Sequence, residues 1–163
     1  MRRTLVVVMA LAALAVGSSV ASAQSKSFAG SWTLVPDPAA AAPAGGRGGG
    51  RGLGQAAMIA QDDKTLTVTR TTQAGEMKSV YNLDGSESKN TRSMGGNSVD
   101  QMSTAKWYGG KLTITTSSNF NGNAFTTTMS MWMDEMGMLA VETTSPGRGG
   151  GAPTTPKMTY KKG

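Results

Sequence analysis

The sequence predicts an all-β protein in which about ten antiparallel strands follow one another up and down and close into a barrel. Twenty threonines recur among alternating apolar residues, a pattern typical of half-buried strands. Hairpin signals such as Asp84-Gly85 and Gly95-Gly96 separate the alternating runs, and no convincing amphipathic helix interrupts them. Closure removes the exposed edges of such a meander, and an even strand number makes the last and first strands antiparallel partners.

Each strand is predicted from apolar alternation between two turn signals. In the first strand Phe28, Gly30, Trp32 and Leu34 share one face. The alternation is weakest over residues 56–61 and 88–94. The predicted strands cover residues 28–34, 56–61, 64–72, 77–83, 88–94, 98–107, 111–118, 124–133, 138–144 and 157–161.

Residues 1–23 have the features of a secretory signal peptide. Two arginines precede an apolar run from Leu5 to Val16, and small residues end at Ala23, where we expect cleavage. The run is too short to span a bilayer as a stable helix, and the chain has no cysteine for a lipid anchor. We therefore expect one domain over residues 24–163, in a protein that is periplasmic or secreted, monomeric and without a membrane anchor.

Two segments rich in glycine, arginine and alanine, residues 37–55 and 146–156, interrupt the strand pattern. Their composition predicts flexible loops. In a ten-strand meander both connections leave from the same end of the barrel. We expect that end to be the mouth, with Arg47, Arg51 and Arg148 available to an anionic group on a ligand. Export and the small number of arginines argue against nucleic acid as a partner.

The composition argues against catalysis. The chain contains no histidine and no cysteine, so it cannot assemble the usual zinc sites, Ser-His-Asp triads or Cys-His pairs. The closest acidic pairs, Asp62-Asp63 and Asp134-Glu135, stand beside turn residues, where carboxylates are usually solvated. We expect neither enzymatic activity nor a cofactor.

Several stretches resemble the small exported lipocalin-like proteins of bacteria, which belong to the calycin type. AGSWTL, with Gly30, Ser31 and Trp32, looks like the Gly-x-Trp first strand of lipocalins. YNLDGSES, STAKWYGGKLTITT and the final YKKG add to the resemblance. It implies a β-barrel or calyx, commonly a binder of small apolar molecules, and it does not imply catalysis. No arginine lies in the last strand to pack on the first-strand tryptophan, and ten strands are nearer the fatty-acid-binding branch than the eight of classical lipocalins.

The predicted binding site is the barrel lumen. We expect a small apolar ligand, with or without an acidic group, to enter from the mouth and to contact side chains on inward strand faces. The predicted lining residues are Phe28, Trp32, Trp107, Phe125, Met129 and Met131. A structural envelope protein with a fully packed barrel and no ligand is an alternative.

The stretch MSMWMDEMGM allows a further alternative. Strand periodicity puts Met129, Met131 and Met133 on one face and Trp132 on the other. These methionines would fill or line the barrel, since thioether side chains adapt to irregular gaps. They could instead form a Cu(I) or Ag(I) site, because thioethers favour soft cations. In that case Met136 and Met138 would add ligands from the adjoining turn.

Overall fold

The computed structural model of the protein describes residues 27–37, 52–72, 75–94, 97–120, 122–147 and 151–163. The predicted signal peptide lies outside the described residues. So do Arg47, Arg51 and Arg148, the three arginines that the sequence analysis placed at the mouth.

Ten antiparallel strands in up-and-down order form one nearly closed, barrel-shaped sheet. The strands are β1 Gly30–Leu34, β2 Ala56–Gln61, β3 Thr65–Thr72, β4 Gly75–Asn82, β5 Glu87–Met94, β6 Asn97–Tyr108, β7 Lys111–Phe120, β8 Asn123–Met133, β9 Leu139–Thr144 and β10 Lys157–Lys162. The predicted fold class is confirmed, and the architecture is consistent with a lipocalin-like fold. None of the described residues belongs to a helix long and apolar enough to cross a membrane.

The predicted pairing of the last strand with the first is also confirmed. β1 lies between β2 and β10, and Leu34 faces Tyr160 across the antiparallel β1–β10 pair. We call the end of the barrel where β2, β4, β6 and β8 finish the turn end, and the end where the odd-numbered strands finish the loop end. The strand ends that flank the two glycine- and arginine-rich segments therefore both lie at the loop end.

Alternate residues of the strands face the inside of the barrel, and many of them form a hydrophobic core there. The core extends from Phe28, just before β1, to Tyr160 in β10, and both side chains are fully buried. The Trp32 indole N–H donates a 2.7 Å hydrogen bond to the Phe28 carbonyl oxygen, which satisfies the indole donor without exposing the ring. The outer face carries threonines, serines and charged residues, as expected for a sheet with one solvated side.

The barrel has one seam, between β4 and β5, where the strands do not pair through their backbones. A side chain bridges them instead. Asn90 Nδ2 donates to the carbonyl oxygen of Val80 at 2.9 Å, and Asn90 Oδ1 accepts from the amide of Val80 at 2.8 Å. The carboxamide thus satisfies both backbone groups of one β4 residue, as a neighbouring strand would. Nearer the turn, Asn82 Nδ2 donates to the Glu87 carbonyl oxygen at 3.1 Å.

Candidate ligand site in the barrel interior

The inner face of the barrel changes character from one end to the other. On β3 it runs from Leu66 and Val68 near the turn end to Arg70 near the loop end, and on β9 it runs from Leu139 to Thr143. The apolar half consists of Trp32, Ile59, Leu66, Val68, Ala105, Leu112, Ile114, Met131, Leu139 and Val141, all at most 2% exposed. The polar half includes Arg70, Ser79, Ser88, Asn90, Gln101, Ser103, Thr116, Ser118, Thr127 and Thr143.

Hydrogen bonds join neighbouring side chains across the polar half. Ser103 Oγ and Thr116 Oγ1 are 2.9 Å apart, and Gln101 Nε2 donates to Ser118 Oγ at 3.1 Å. Ser88 Oγ also donates to the Ser103 carbonyl oxygen at 3.1 Å. These hydroxyl and amide groups are therefore fixed by one another, which gives this part of the inner wall a defined arrangement of donors and acceptors.

The aromatic residues predicted to line the lumen occupy two different environments. Phe28 and Trp32 are closed within the core, and Trp107 stacks on Phe28 with ring centroids 5.4 Å apart. Phe125 lies further towards the loop end, half-buried and paired with Ser118 in the polar half. The structure therefore places Phe28 and Trp32 in the packed core, Trp107 against that core, and Phe125 beside the polar groups.

The methionines of MSMWMDEMGM also separate. Met131 is fully buried in the core, whereas Met129 and Met133 are half-buried and pack against it. In the turn after β8, Met136 is 77% exposed and Met138 is half-buried. The five thioethers thus extend from the core to the surface instead of sharing one environment, and a soft-metal site that uses them stays a prediction.

Arg70 is a charged residue of the inner wall that was not among the predicted site residues. Its Nη1 donates a 3.1 Å hydrogen bond to the carbonyl oxygen of Gly52, but its Nε is shielded from solvent and has no hydrogen-bond partner among the described residues. Burial lowers the pKa of the Arg70 guanidinium; Tyr81 and Tyr160 oppose this, and the nearby positive charge of Arg92 adds to it. A guanidinium is nevertheless always charged in proteins, so the inner wall carries a fixed positive charge.

No carboxylate among the described residues faces this charge from the inner wall. Strand periodicity and register put four acids on the outer face, and the remaining six lie in connections between strands or just outside them. The outward acids are Glu76, Glu87, Asp100 and Glu142. The guanidinium of Arg70 therefore lacks an internal counter-charge in this part of the chain, which is unusual because buried charges are normally paired.

Sequence periodicity contained the signal for this site. Arg70 stands in TLTVTRTT, two and four residues after Val68 and Leu66, and so has the phase of the inward residues. The glycine-rich loops directed the prediction to Arg47, Arg51 and Arg148 instead. The sequence matches no protein-family model and no curated protein.

Two shallow depressions on the outer wall are weaker candidates. One lies beside Tyr108 and the other beside Met58, and both are open to solvent. Threonines form much of each lining, with Lys106 at the first and Glu76 at the second. Neither places a partly buried charge beside an apolar surface, as the barrel interior does.

Proposed function

We propose that the protein is an exported, lipocalin-like binding protein that holds a small apolar anion inside its barrel. The proposal rests on the state of Arg70. Its charged guanidinium lies on the inner wall, and its Nε is shielded from solvent and has no hydrogen-bond partner in the described part of the chain. An anion would supply the missing acceptor and the missing counter-charge together.

The surroundings of Arg70 favour an amphipathic ligand over a simple ion. Val68, the preceding inward residue of β3, belongs to the packed apolar half, and Tyr160 is close enough for its phenol to influence the pKa of the guanidinium. A ligand with an anionic head and an apolar body would match this change from polar to apolar surface. Such pockets are mostly apolar, with a few polar groups that fix the orientation of the ligand.

The test is fluorescence titration with 8-anilinonaphthalene-1-sulfonate, a probe that combines a sulfonate with aromatic rings. We expect the unaltered protein to bind it, and Arg70→Met to bind about 10- to 100-fold more weakly, since hydrogen bonds to charged groups contribute about 1.5–3 kcal/mol. Arg70→Lys should retain part of the affinity because it keeps the charge. Circular dichroism of each variant establishes that the barrel is intact.

Lys78→Met is the matched control, because Lys78 is an exposed cation on the outer face of β4, the strand paired with β3. An equal loss of affinity in Lys78→Met and Arg70→Met would place the probe on the surface and contradict the proposal. If the unaltered protein binds neither this probe nor any molecule retained from its host, a structural protein with a filled barrel becomes the better interpretation.

A further inference from the structure

Residues Gly52, Leu53 and Gly54 enter the interior at the loop end of the barrel. Leu53 is fully buried and belongs to the hydrophobic core, although it comes from a connection and not from a strand. The glycines on either side have φ angles of +63° and +81°, in the left-handed region that other residues rarely adopt. The segment is therefore a tight inward turn, which we call the plug.

Three strands hold the plug through its backbone. The Gly52 carbonyl oxygen accepts from Arg70 Nη1 at 3.1 Å, and the next amide, that of Leu53, donates to the Tyr160 hydroxyl at 2.9 Å. The Gly52 amide donates to Thr143 Oγ1 at 3.3 Å. One peptide group of the plug is thus bound at both its oxygen and its nitrogen, while the adjoining side chain fills apolar space.

The plug combines a polar acceptor with an apolar group, as the ligand proposed above does. It offers an acceptor oxygen to Arg70 and, a few atoms away, a branched aliphatic group to the core. A carboxylate differs from the Gly52 carbonyl in carrying a negative charge and two acceptor oxygens, so it would use the guanidinium more fully. The hydroxyls of Tyr160 and Thr143, which now accept from the plug, could then donate to the anion.

We infer that the plug occupies the ligand site as a tethered substitute, and that an aliphatic carboxylate binds by displacing Leu53 and the Gly52 carbonyl from Arg70. This inference depends on the proposed function, because it describes how that ligand gains access. Its consequence is that the observed affinity is the intrinsic affinity reduced by the fraction of molecules in which the plug is released. Weakening the plug alone should therefore strengthen binding.

Gly54→Ala weakens the plug without removing any group from the site. A β-carbon at Gly54 meets no atom within 4 Å, so the substitution acts through its φ of +81°. Gly110→Ala is the matched control, with a φ of +83° and equally open space, in the β6–β7 connection at the turn end. We expect Gly54→Ala to bind sodium octanoate about 5- to 30-fold more tightly than the unaltered protein, from the strain of one left-handed non-glycine residue. Gly110→Ala should leave the affinity unchanged.

The absence of native cysteine permits a direct measurement of plug release. In Leu53→Cys the new thiol should react slowly with Ellman's reagent and become at least tenfold more reactive in saturating octanoate, in which the plug is largely released. In Met131→Cys the thiol replaces a side chain of the packed apolar half and should stay protected with and without octanoate. This measurement does not require Gly54→Ala to fold normally.

The outcomes separate the inference from the proposed function. If the unaltered protein binds octanoate, but Gly54→Ala binds no more tightly and the thiol of Leu53→Cys stays protected, the binding function stands and the plug inference is overturned. If Gly54→Ala binds octanoate and the unaltered protein does not, the plug inference is supported. If no variant binds octanoate or the sulfonate probe, both are overturned.

Discussion

The two halves of the barrel interior differ in what they contribute to the protein. In the apolar half, side chains from most of the strands pack with almost no exposed surface, so each can add the full hydrophobic contribution to stability. In the polar half, hydroxyl and amide groups satisfy one another, and Arg70 uses part of its hydrogen-bonding capacity on the plug. Buried apolar packing therefore stabilises the protein mainly near the turn end, whereas the binding function proposed above depends on the polar groups near the loop end.

Two methionines on one strand test this division with the largest expected effect. Met131 is fully buried in the apolar half, while Met129, two residues earlier on the same face of β8, is half-buried and paired with Thr143 of the polar half. We expect Met131→Ala to lower the free energy of unfolding by about 2–5 kcal/mol, the usual cost of a cavity in a core. Met129→Ala should cost less than half as much.

Urea denaturation followed by tryptophan fluorescence measures both changes. Met131→Leu is the control, because it conserves most of the apolar volume and should cost less than about 1.5 kcal/mol. Equal losses for the two alanine variants would mean that the packed core extends into the region we call the polar half.

A substitution of Asn90 tests how much the side chain that bridges the seam between β4 and β5 contributes to stability. Asn90→Ala removes two hydrogen bonds from Val80 and leaves a backbone donor and acceptor without partners. We expect a loss of about 1–3 kcal/mol in the free energy of unfolding, the cost of unsatisfied partly buried groups. Hydrogen exchange of the Val80 amide should accelerate in this variant.

Asn82→Ala is the control for the seam, since Asn82 makes one exposed hydrogen bond to Glu87 across the same gap. It should cost about 1 kcal/mol or less. Unchanged exchange at Val80 in Asn90→Ala would show that solvent or another side chain replaces the carboxamide. The seam would then contribute little to the stability of the polar half.

The sequence predicted the barrel because strand periodicity is a local property. All ten strands and the β1–β10 closure follow from alternation and an even strand number. The seam could not be predicted in the same way, because the role of Asn90 depends on the distance between β4 and β5. Only tertiary structure brings that side chain to the backbone of Val80.

The site was harder to predict for a related reason. Leu53 stands between glycines in a stretch that composition identifies as a linker, so nothing local indicates that it enters the core. Arg70 had the inward phase of β3, but a positive charge in a barrel interior contradicts the ordinary rule that charges face solvent. In both cases the local pattern and the tertiary position disagree, as is common at functional sites.

The smallest expected effect on stability concerns Asp62, in the turn between β2 and β3 that closes the apolar half. This effect depends on pH. Asp62 Oδ1 accepts hydrogen bonds from the amides of Lys64 at 2.8 Å and Thr65 at 2.7 Å, and Oδ2 accepts from the Thr65 hydroxyl at 2.9 Å. The backbone hydrogen bond from Lys64, followed by those from Thr65, lowers the pKa of the Asp62 carboxyl from 3.8. The folded state therefore favours the ionised carboxylate more than the unfolded chain does.

Because the folded pKa is depressed, the stability that Asp62 contributes is fully present above pH 3.8 and is lost as the pH falls through the lower folded value. Asp62→Asn should accordingly have a lower thermal midpoint than the unaltered protein at pH 6, and the two midpoints should converge as the pH approaches 2. Asp63→Asn alters the exposed neighbour, which takes part in none of these bonds, and should leave the midpoint at pH 6 nearly unchanged.

A difference between Asp62→Asn and the unaltered protein that stayed constant from pH 6 to pH 2 would mean that the turn depends on the shape of residue 62 and not on its charge. The closure of the apolar half would then have no acid-sensitive component at this turn.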